Sequence, residues 1–166
     1  MADVFSSKQR SEIMSKIRSS RTQGELIVKS FLEEAAIPFQ YQPSIKGRPD
    51  FLIDSKIAVF VNGCFWHKCP VHYREPKSNV TFWRNKVQMN ETRLQRNRRV
   101  MRREGFKVLS FWEHDVKRNS SKCLEKVRRT LRKPLSPIRA RSSPIVRKVT
   151  CPSKSPVRSE AARVGR

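Results

Sequence analysis

The sequence predicts an α/β fold in which a mixed central sheet is flanked by helices. Three features carry this prediction: apolar residues at helical spacing near the start, two short apolar runs separated by turn residues, and a long helix-forming segment followed by an apolar strand. The predicted order is helices, strands, a long helix, another strand and a last helix. That order is typical of one α/β sandwich around a mixed sheet.

Two helices are predicted at the start of the chain. Residues 11–18 are a short helix candidate. The run Thr22-Gln-Gly-Glu25 is a capping box that precedes apolar residues at helical spacing, which predicts a helix over residues 23–36. Pro38 is expected to stop this helix, because proline lacks the backbone N–H that a helix needs.

Three strands are predicted next. Residues 39–42 are a strand candidate, and the turn Lys46-Gly-Arg-Pro49 leads into two apolar runs at residues 50–53 and 57–61. Short apolar runs separated by turn residues are typical of a hairpin of core strands.

The second half of the chain predicts two more helices and a strand. Residues 80–103 have helix-forming composition and are followed by Gly105, which stops a helix. Residues 106–112 are expected to form a buried strand, and residues 120–132 a closing helix.

The chain is strongly basic over its whole length. Its 166 residues include 37 Lys and Arg against 14 Asp and Glu, a formal net charge of +23. A polyanion is therefore the expected partner, either nucleic acid or an acidic membrane surface. Residues 131–166 contribute +9 of this charge, which leaves +14 on residues 1–130. Membrane association is disfavoured because the folded part shows no apolar face for a bilayer.

The composition divides the chain into a folded domain, residues 1–132, and a basic tail, residues 133–166. From Leu131 onward there are ten Lys and Arg, one acid (Glu160) and five of the ten prolines, without apolar periodicity. This composition is typical of a disordered segment, so we expect the tail to be disordered.

The chain contains no apolar run of the roughly 18 to 20 residues that span a bilayer, and residues 1–10 lack the apolar stretch of a secretory signal. We therefore expect a cytoplasmic, nucleoid-associated protein. Thiols stay reduced in that compartment. The cysteines Cys64, Cys69, Cys123 and Cys151 are accordingly interpreted as metal ligands or free thiols instead of disulfides.

The run Gly47-Arg-Pro-Asp50 places a carboxylate at the start of a predicted strand, and a second strand ends at Val61-Asn62-Gly63. This pairing suits Mg²⁺, which prefers carboxylate, carbonyl and water oxygens and stabilises charge at a phosphodiester. An aspartate after a proline is also ordinary turn chemistry, so the motif alone allows both interpretations.

Cys64, Cys69 and His72 lie within nine residues of one another. Zinc requires four such ligands. The fourth is expected from His114 at the end of the last strand, with Cys123 as the second candidate. The alternative is a pair of buried thiols without a metal.

Phe65 and Trp66 lie between the first of these cysteines and His67, in a segment that a core would not readily cover. Large aromatic side chains in such a place suit insertion between base pairs, while packing against the metal site is the other interpretation. His67 is a candidate general base or a structural hydrogen-bonding residue. Glu25 is explained by the capping box but would also suit the support of a metal-bound water.

The long predicted helix is rich in cations. Residues 84–107 contain nine Lys and Arg against Glu91 and Glu104, and these cations cover most faces of a helix. Some of them are expected to contact phosphates, which would make affinity fall steeply with salt.

Four runs of residues resemble the very short patch repair (Vsr) DNA mismatch endonucleases. They are Gly47-Arg-Pro-Asp-Phe51, Val59-Phe-Val-Asn-Gly-Cys-Phe-Trp-His67, Thr81-Phe-Trp83 and Val108-Leu-Ser-Phe-Trp-Glu113. The start of the chain, including Met14 and the run from Thr22 to Glu25, resembles the family in order and spacing. The resemblance covers about residues 1–130.

The resemblance implies a fold similar to the type II restriction endonucleases, with a zinc-bound loop. It implies a nick in one strand of duplex DNA, 5′ of the thymine in a T·G mismatch, which arises when 5-methylcytosine deaminates. Mismatch repair proteins and a companion cytosine methyltransferase are further partners that it implies. We expect a monomer.

The resemblance also assigns site residues. Asp50 and the main-chain carbonyl of Val61 would ligate Mg²⁺, His67 would activate water, and Glu25 would support the water shell or the base. A structural zinc and three intercalating side chains are implied as well. The zinc ligands would be Cys64, Cys69, His72 and His114, and the wedges Met14, Phe65 and Trp66.

Three positions depart from the family pattern. Asn62 stands where the family often has His; it can bond a phosphate but cannot carry a proton at neutral pH. Leu94 aligns with an Asp that orients the catalytic His, and Asn97, one turn later, is a weak substitute. His114 stands where Cys is frequent, and both ligate zinc. The first two changes predict a slow nickase.

Two other functions remain open at this stage. A restriction-type nuclease on the same scaffold would cut both strands, since Asp50 chemistry does not specify a T·G pair. A non-catalytic zinc-containing protein would recognise distorted DNA by intercalation, and Asn62 and Leu94 favour this alternative.

Overall fold

The computed structural model describes residues 20–132 together with Gln9 and Glu12. Residues 20–132 form four helices and four strands. In chain order they are α1 (Gln23–Glu34), β1 (Phe39–Tyr41), β2 (Phe51–Ile53), β3 (Ile57–Asn62), α2 (Val80–Arg103), β4 (Lys107–Trp112), α3 (Glu113–Arg118) and α4 (Ser120–Arg132).

The four strands form one mixed sheet in the order β1-β2-β3-β4. The pairs β1–β2 and β2–β3 are antiparallel, whereas β3 and β4 are parallel with Asn62 opposite Trp112. The parallel pair requires a crossover, which is supplied by the segment that contains α2. The predicted mixed sheet flanked by helices is therefore confirmed.

One face of the sheet packs against α1, α3 and α4. Its core contains alternate residues of the strands, because successive side chains of a strand point to opposite faces. The buried members of this cluster are Val28, Phe31, Leu32, Phe51, Ile53, Ile57, Val59, Leu109, Phe111, Val116, Cys123 and Val127.

The opposite face packs against α2. Ala58 and Phe60 of β3 and Met101 of α2 form its buried centre, with Leu94 and Val108 packed beside them. Leu94 thus occupies an apolar position between helix and sheet.

A glycine holds the loop before β2 close to α2. Gly47 has φ +86°, and a Cβ atom at this position would lie 2.6 Å from Sδ of Met101. Only glycine combines this backbone conformation with so close an approach. The loop that leads to Asp50 is therefore packed closely against α2.

The predicted elements within the described residues are found with small shifts at their ends. The helix expected over residues 23–36 ends at Glu34, because Ala36 has φ +52° and the chain leaves the helix before Pro38. The helices over 80–103 and 120–132 have the predicted bounds. Helix α3 was not expected; it follows β4 directly and brings His114 into a helical turn.

Several predictions fall outside the described residues. They concern the helix over residues 11–18 apart from Glu12, the wedge residue Met14, and the tail from residue 133 onward. Among the described residues, no helix combines the length and apolar character needed to cross a membrane.

Candidate active site

Asp50 lies at the entrance of β2 and points toward the end of β3. Its Oδ2 accepts a hydrogen bond of 2.7 Å from the N–H of Val61. The pKa of Asp50 is raised to about 7, chiefly because the carboxyl group is buried. The Glu25 carboxylate raises this pKa further, and the hydrogen bond from the Val61 N–H partly lowers it. Two predicted site residues, Asp50 and Val61, are therefore in direct contact.

Glu25 is a buried carboxylate in the first turn of α1, only 4% exposed. Oγ1 of Thr22 caps the helix by accepting from the Glu25 N–H at 3.4 Å, and the Thr22 hydroxyl donates to one Glu25 oxygen at 2.8 Å. The other accepts from the Tyr41 hydroxyl at 2.7 Å and from Nε2 of Gln42 at 3.3 Å. Burial and the Glu25 carboxylate raise the pKa of Tyr41 to about 12, so its hydroxyl remains a donor.

We call Glu25, Tyr41, Gln42 and Asp50 the Asp50 cluster. Its two carboxylates are close enough for one to raise the pKa of the other. A divalent cation between such groups would favour their ionised forms, and hard oxygen ligands are those that Mg²⁺ prefers. The donor set therefore fits a divalent metal.

His67 lies in the turn that follows β3, where its backbone N–H donates to the carbonyl of Gly63 at 3.2 Å. Burial lowers the pKa of His67 to about 4, and the guanidinium groups of Arg98 and Arg93 act in the same direction. Its Nδ1 is buried without a hydrogen-bond partner. No side chain, that of Asn97 included, therefore bonds this nitrogen among the described residues.

Asn62, at the end of β3, is buried and only 1% exposed. Its Nδ2 donates to Oγ of Ser110 at 2.7 Å, and Nη2 of Arg98 donates to the same oxygen. We call Asn62, His67, Arg98 and Ser110 the His67 cluster. Asn62 and Ser110 continue the alternation of Ala58, Phe60 and Val108, so they form a polar end of the face that packs on α2.

The turn after β3 also begins a group of metal-ligating side chains. Cys64, Cys69, His72 and His114 place one ligand atom each within 4.8 Å of all the others. Sγ of Cys64 is 3.2 Å from Nδ1 of His114, and Sγ of Cys69 is 3.7 Å from that atom. In a tetrahedral zinc site, sulfur and nitrogen ligands lie about 3.6 Å apart.

The surroundings of this Cys/His cluster also suit a metal. Nε2 of His114 lies 3.2 Å from Oδ1 of Asp115, and a carboxylate on the second ring nitrogen orients Nδ1 as a ligand. Cys123, the second candidate for the fourth ligand, lies instead in the core between the sheet and α4.

Phe65 and Trp66 are partly buried and belong to an aromatic group. Their rings are 5.1 Å apart, and the Phe65 ring lies 5.4 Å from that of Trp83. Phe82, beside Trp83, is 60% exposed. In this structure Phe65 and Trp66 pack against each other and against Trp83, and the insertion of these rings between base pairs stays a prediction.

Comparison with known proteins identifies the family. The family model described as DNA mismatch endonuclease Vsr matches residues 2–72. The DNA mismatch endonuclease Vsr of Escherichia coli is 34% identical over 116 residues, which are 68% of this chain and 74% of that protein. The chain belongs to the Vsr family.

Other relatives that resemble the chain are named as nicking enzymes. The type II nicking enzyme V.NmeAIP of Neisseria meningitidis is 37% identical over 138 residues, 80% of this chain and 96% of that protein. The type II nicking enzyme V.XorIIP of Xanthomonas oryzae is 32% identical over 70% of this chain and 88% of that protein. Membership of the Vsr family makes the chain a DNA endonuclease, and DNA its partner.

Sequence reasoning overlooked four residues of the two clusters. Tyr41 and Gln42 were assigned only to a strand, and Arg98 was one of nine cations in a basic segment. Ser110 could have been recognised from the sequence, because a hydroxyl in an otherwise apolar buried strand requires a hydrogen-bond partner.

Proposed function

We propose that the chain is a Mg²⁺-dependent nickase that cuts one strand of duplex DNA 5′ of the thymine in a T·G mismatch, and so begins very short patch repair. The observation that carries the proposal is that Asp50, beside the Glu25 carboxylate, bonds Val61 at the end of β3, and that His67 lies in the turn that follows this strand. Carboxylates for a divalent metal and a neutral imidazole are the parts that phosphodiester hydrolysis requires.

Each residue of the site has a role in this proposal. Asp50 and the carbonyl of Val61 hold Mg²⁺, which supplies charge stabilisation at the scissile phosphate when bound. His67, neutral at working pH because its pKa is about 4, accepts the proton of the attacking water. Glu25, held by Tyr41 and Gln42, orients the water shell.

The Cys/His cluster is proposed to hold a structural zinc through Cys64, Cys69, His72 and His114. Zinc at this position would tie the turn after β3 to the start of α3. Because His67 lies between the two cysteines, the metal would hold the catalytic turn in place.

DNA is proposed to lie across the aromatic group and α2. Met14, Phe65 and Trp66 are the proposed wedges between base pairs. Exposed cations of α2 would contact phosphates. They are Arg93, Arg96, Arg99, Arg102 and Arg103.

The remaining proposals rest on the sequence and the family. Residues 1–132 would form the endonuclease domain, with a fold of the type II restriction endonuclease kind, and residues 133–166 would be a basic tail. We also propose a monomer that is associated with the nucleoid and works with mismatch repair proteins and a companion cytosine methyltransferase.

The proposal is tested on end-labelled duplexes that carry a T·G mismatch, incubated with Mg²⁺ or with EDTA. A nick 5′ of the thymine that requires Mg²⁺ and is lost in Asp50→Asn would support it. Asp54→Asn is the matched control, because Asp54 lies in the exposed turn after β2 and pairs only with Lys56 among the contacts described. Tight binding without any nick would leave the non-catalytic alternative.

A second candidate is a nickase that recognises a sequence in fully paired DNA. It is favoured by relatives named type II nicking enzymes, of which V.NmeAIP matches 80% of this chain. Duplexes that differ only in T·G against C·G, with each strand labelled in turn, separate the candidates. Equal nicking of both duplexes would support sequence recognition, and cuts in both strands would indicate a restriction-type nuclease.

A further inference from the structure

Three polar atoms of the His67 cluster are buried without a partner. They are Oδ1 of Asn62, Nδ1 of His67 and Nε of Arg98. Buried polar atoms are nearly always hydrogen-bonded, either within the protein or to an ordered water. Arg98 connects the three residues, because it shares the Ser110 hydroxyl with Asn62 and lies near enough to His67 to lower the pKa of that imidazole.

The orientation of each atom is set by its neighbours. The amide of Asn62 is held through Nδ2 by Ser110, so Oδ1 is the atom left to accept. Arg98 uses Nη2 for the same serine, so Nε–H is left to donate. Arg93, the other cation near His67, is held by Oδ1 of Asn90 at 2.8 Å.

We propose that Asn62, Arg98 and His67 share one ordered water molecule, and that this water positions the His67 imidazole. The water accepts from Nε–H of Arg98 and from Nδ1–H of His67, and donates to Oδ1 of Asn62. Three partners of this kind are typical of a buried water.

The water determines which nitrogen of His67 carries the proton. With Nδ1–H donated to the water, the lone pair lies on Nε2, which is the form that a general base requires. Asn62 and Arg98 are therefore positioning residues. This choice of tautomer rests on the proposed function, while the shared water rests on the three buried atoms.

The tautomer is read by ¹⁵N NMR of the imidazole nitrogens in the full-length chain. The chain has only three histidines, and His67→Asn assigns the signal of His67. We expect one tautomer, with the proton on Nδ1, in the wild type. Asn62→Leu and Arg98→Met are expected to lose it, whereas Asn62→Asp, which keeps an acceptor, is expected to retain it.

Two features make the test specific. Asn62→Leu replaces the amide with a side chain of similar size at the end of a face whose centre is apolar, so the fold is expected to survive. Arg99→Met removes the same charge from an exposed position of α2 and should leave the tautomer unchanged. A proton on Nε2 in the wild type, or an unchanged tautomer in Asn62→Leu, would overturn the proposal.

Kinetics give a second readout that separates positioning from binding. At saturating T·G duplex, single-turnover nicking by Asn62→Leu should fall roughly tenfold or more, with the Kd for the duplex unchanged. Equal losses in rate and affinity would contradict a positioning role. If the wild type does not nick the T·G duplex, the proposed function is wrong but the shared water can still be tested, since the NMR result does not depend on nicking.

Discussion

The Asp50 cluster and the His67 cluster lie on either side of the end of β3, and they are built differently. In the Asp50 cluster, the carboxylate oxygens of Glu25 accept from Thr22, Tyr41 and Gln42, and Oδ2 of Asp50 accepts from Val61. In the His67 cluster, three buried polar atoms have no partner. The first contains Asp50 and Glu25, which the resemblance assigns to the metal and its water shell, whereas the second contains Asn62, one of the three departures from the family pattern.

In the proposed function, metal binding would depend on the Asp50 cluster and proton transfer on the His67 cluster. Around Asn62 and Ser110 the second cluster offers an amide, a hydroxyl and a guanidinium and no carboxylate. Removing groups from each side in turn tests this division.

The largest effect on stability is expected from removing a ligand of the Cys/His cluster, which supports the turn that carries His67. Cys69→Ala should lose the metal, unfold the turn that carries His67 and destabilise the protein by more than about 4 kcal/mol, since a structural zinc contributes directly to folding. Metal content and thermal unfolding measure this. Cys123→Ala, a buried cysteine in the core, is the control and should keep its metal; equal metal loss in both variants would contradict the assignment.

The next effect concerns catalysis by the Asp50 cluster. Asp50→Asn should slow T·G nicking by roughly 1000-fold, about 4 kcal/mol, because the neutral amide no longer attracts the metal. Single-turnover rates at saturating Mg²⁺ measure it. A residual rate near that of the wild type would place the metal elsewhere.

The same substitution should have the opposite effect on stability. Because the folded-state pKa of Asp50 is about 7 against an ordinary 3.8, the stability it contributes is fully present below pH 3.8 and is lost as pH rises through 7. In EDTA at pH 8, Asp50→Asn should therefore be more stable than the wild type by about 4 kcal/mol. Denaturant unfolding at pH 4 and pH 8 checks this, and a difference independent of pH would contradict the burial of the charge.

The smallest effect tests the hydrogen bonds of the Asp50 cluster. Tyr41→Phe removes the 2.7 Å donor to the buried Glu25 and should cost about 1.5 kcal/mol of stability. Tyr73→Phe, whose ring lies in the aromatic group beside Phe65, is the matched control. If the two variants unfold alike, water replaces the Tyr41 hydroxyl at Glu25.

The sequence by itself determined the elements whose signals are local. The capping box from Thr22 to Glu25 predicted the start of α1, and composition with stop signals predicted the bounds of α2 and α4. The close spacing of Cys64, Cys69 and His72 indicated three ligands of one site. Such features are readable because capping bonds and helical periodicity join residues that are near in the chain.

Only the tertiary structure decided which distant residues meet. The parallel register of β3 and β4 brings Ser110 to Asn62, 48 residues earlier, and α2 presents Arg98 to the same hydroxyl. As the fourth side chain of the Cys/His cluster, the structure places His114, at the start of α3, beside the other three, whereas Cys123 packs in the core. These contacts depend on strand register and on the packing of helices against the sheet, and a one-residue shift of register would turn Asn62 to the opposite face.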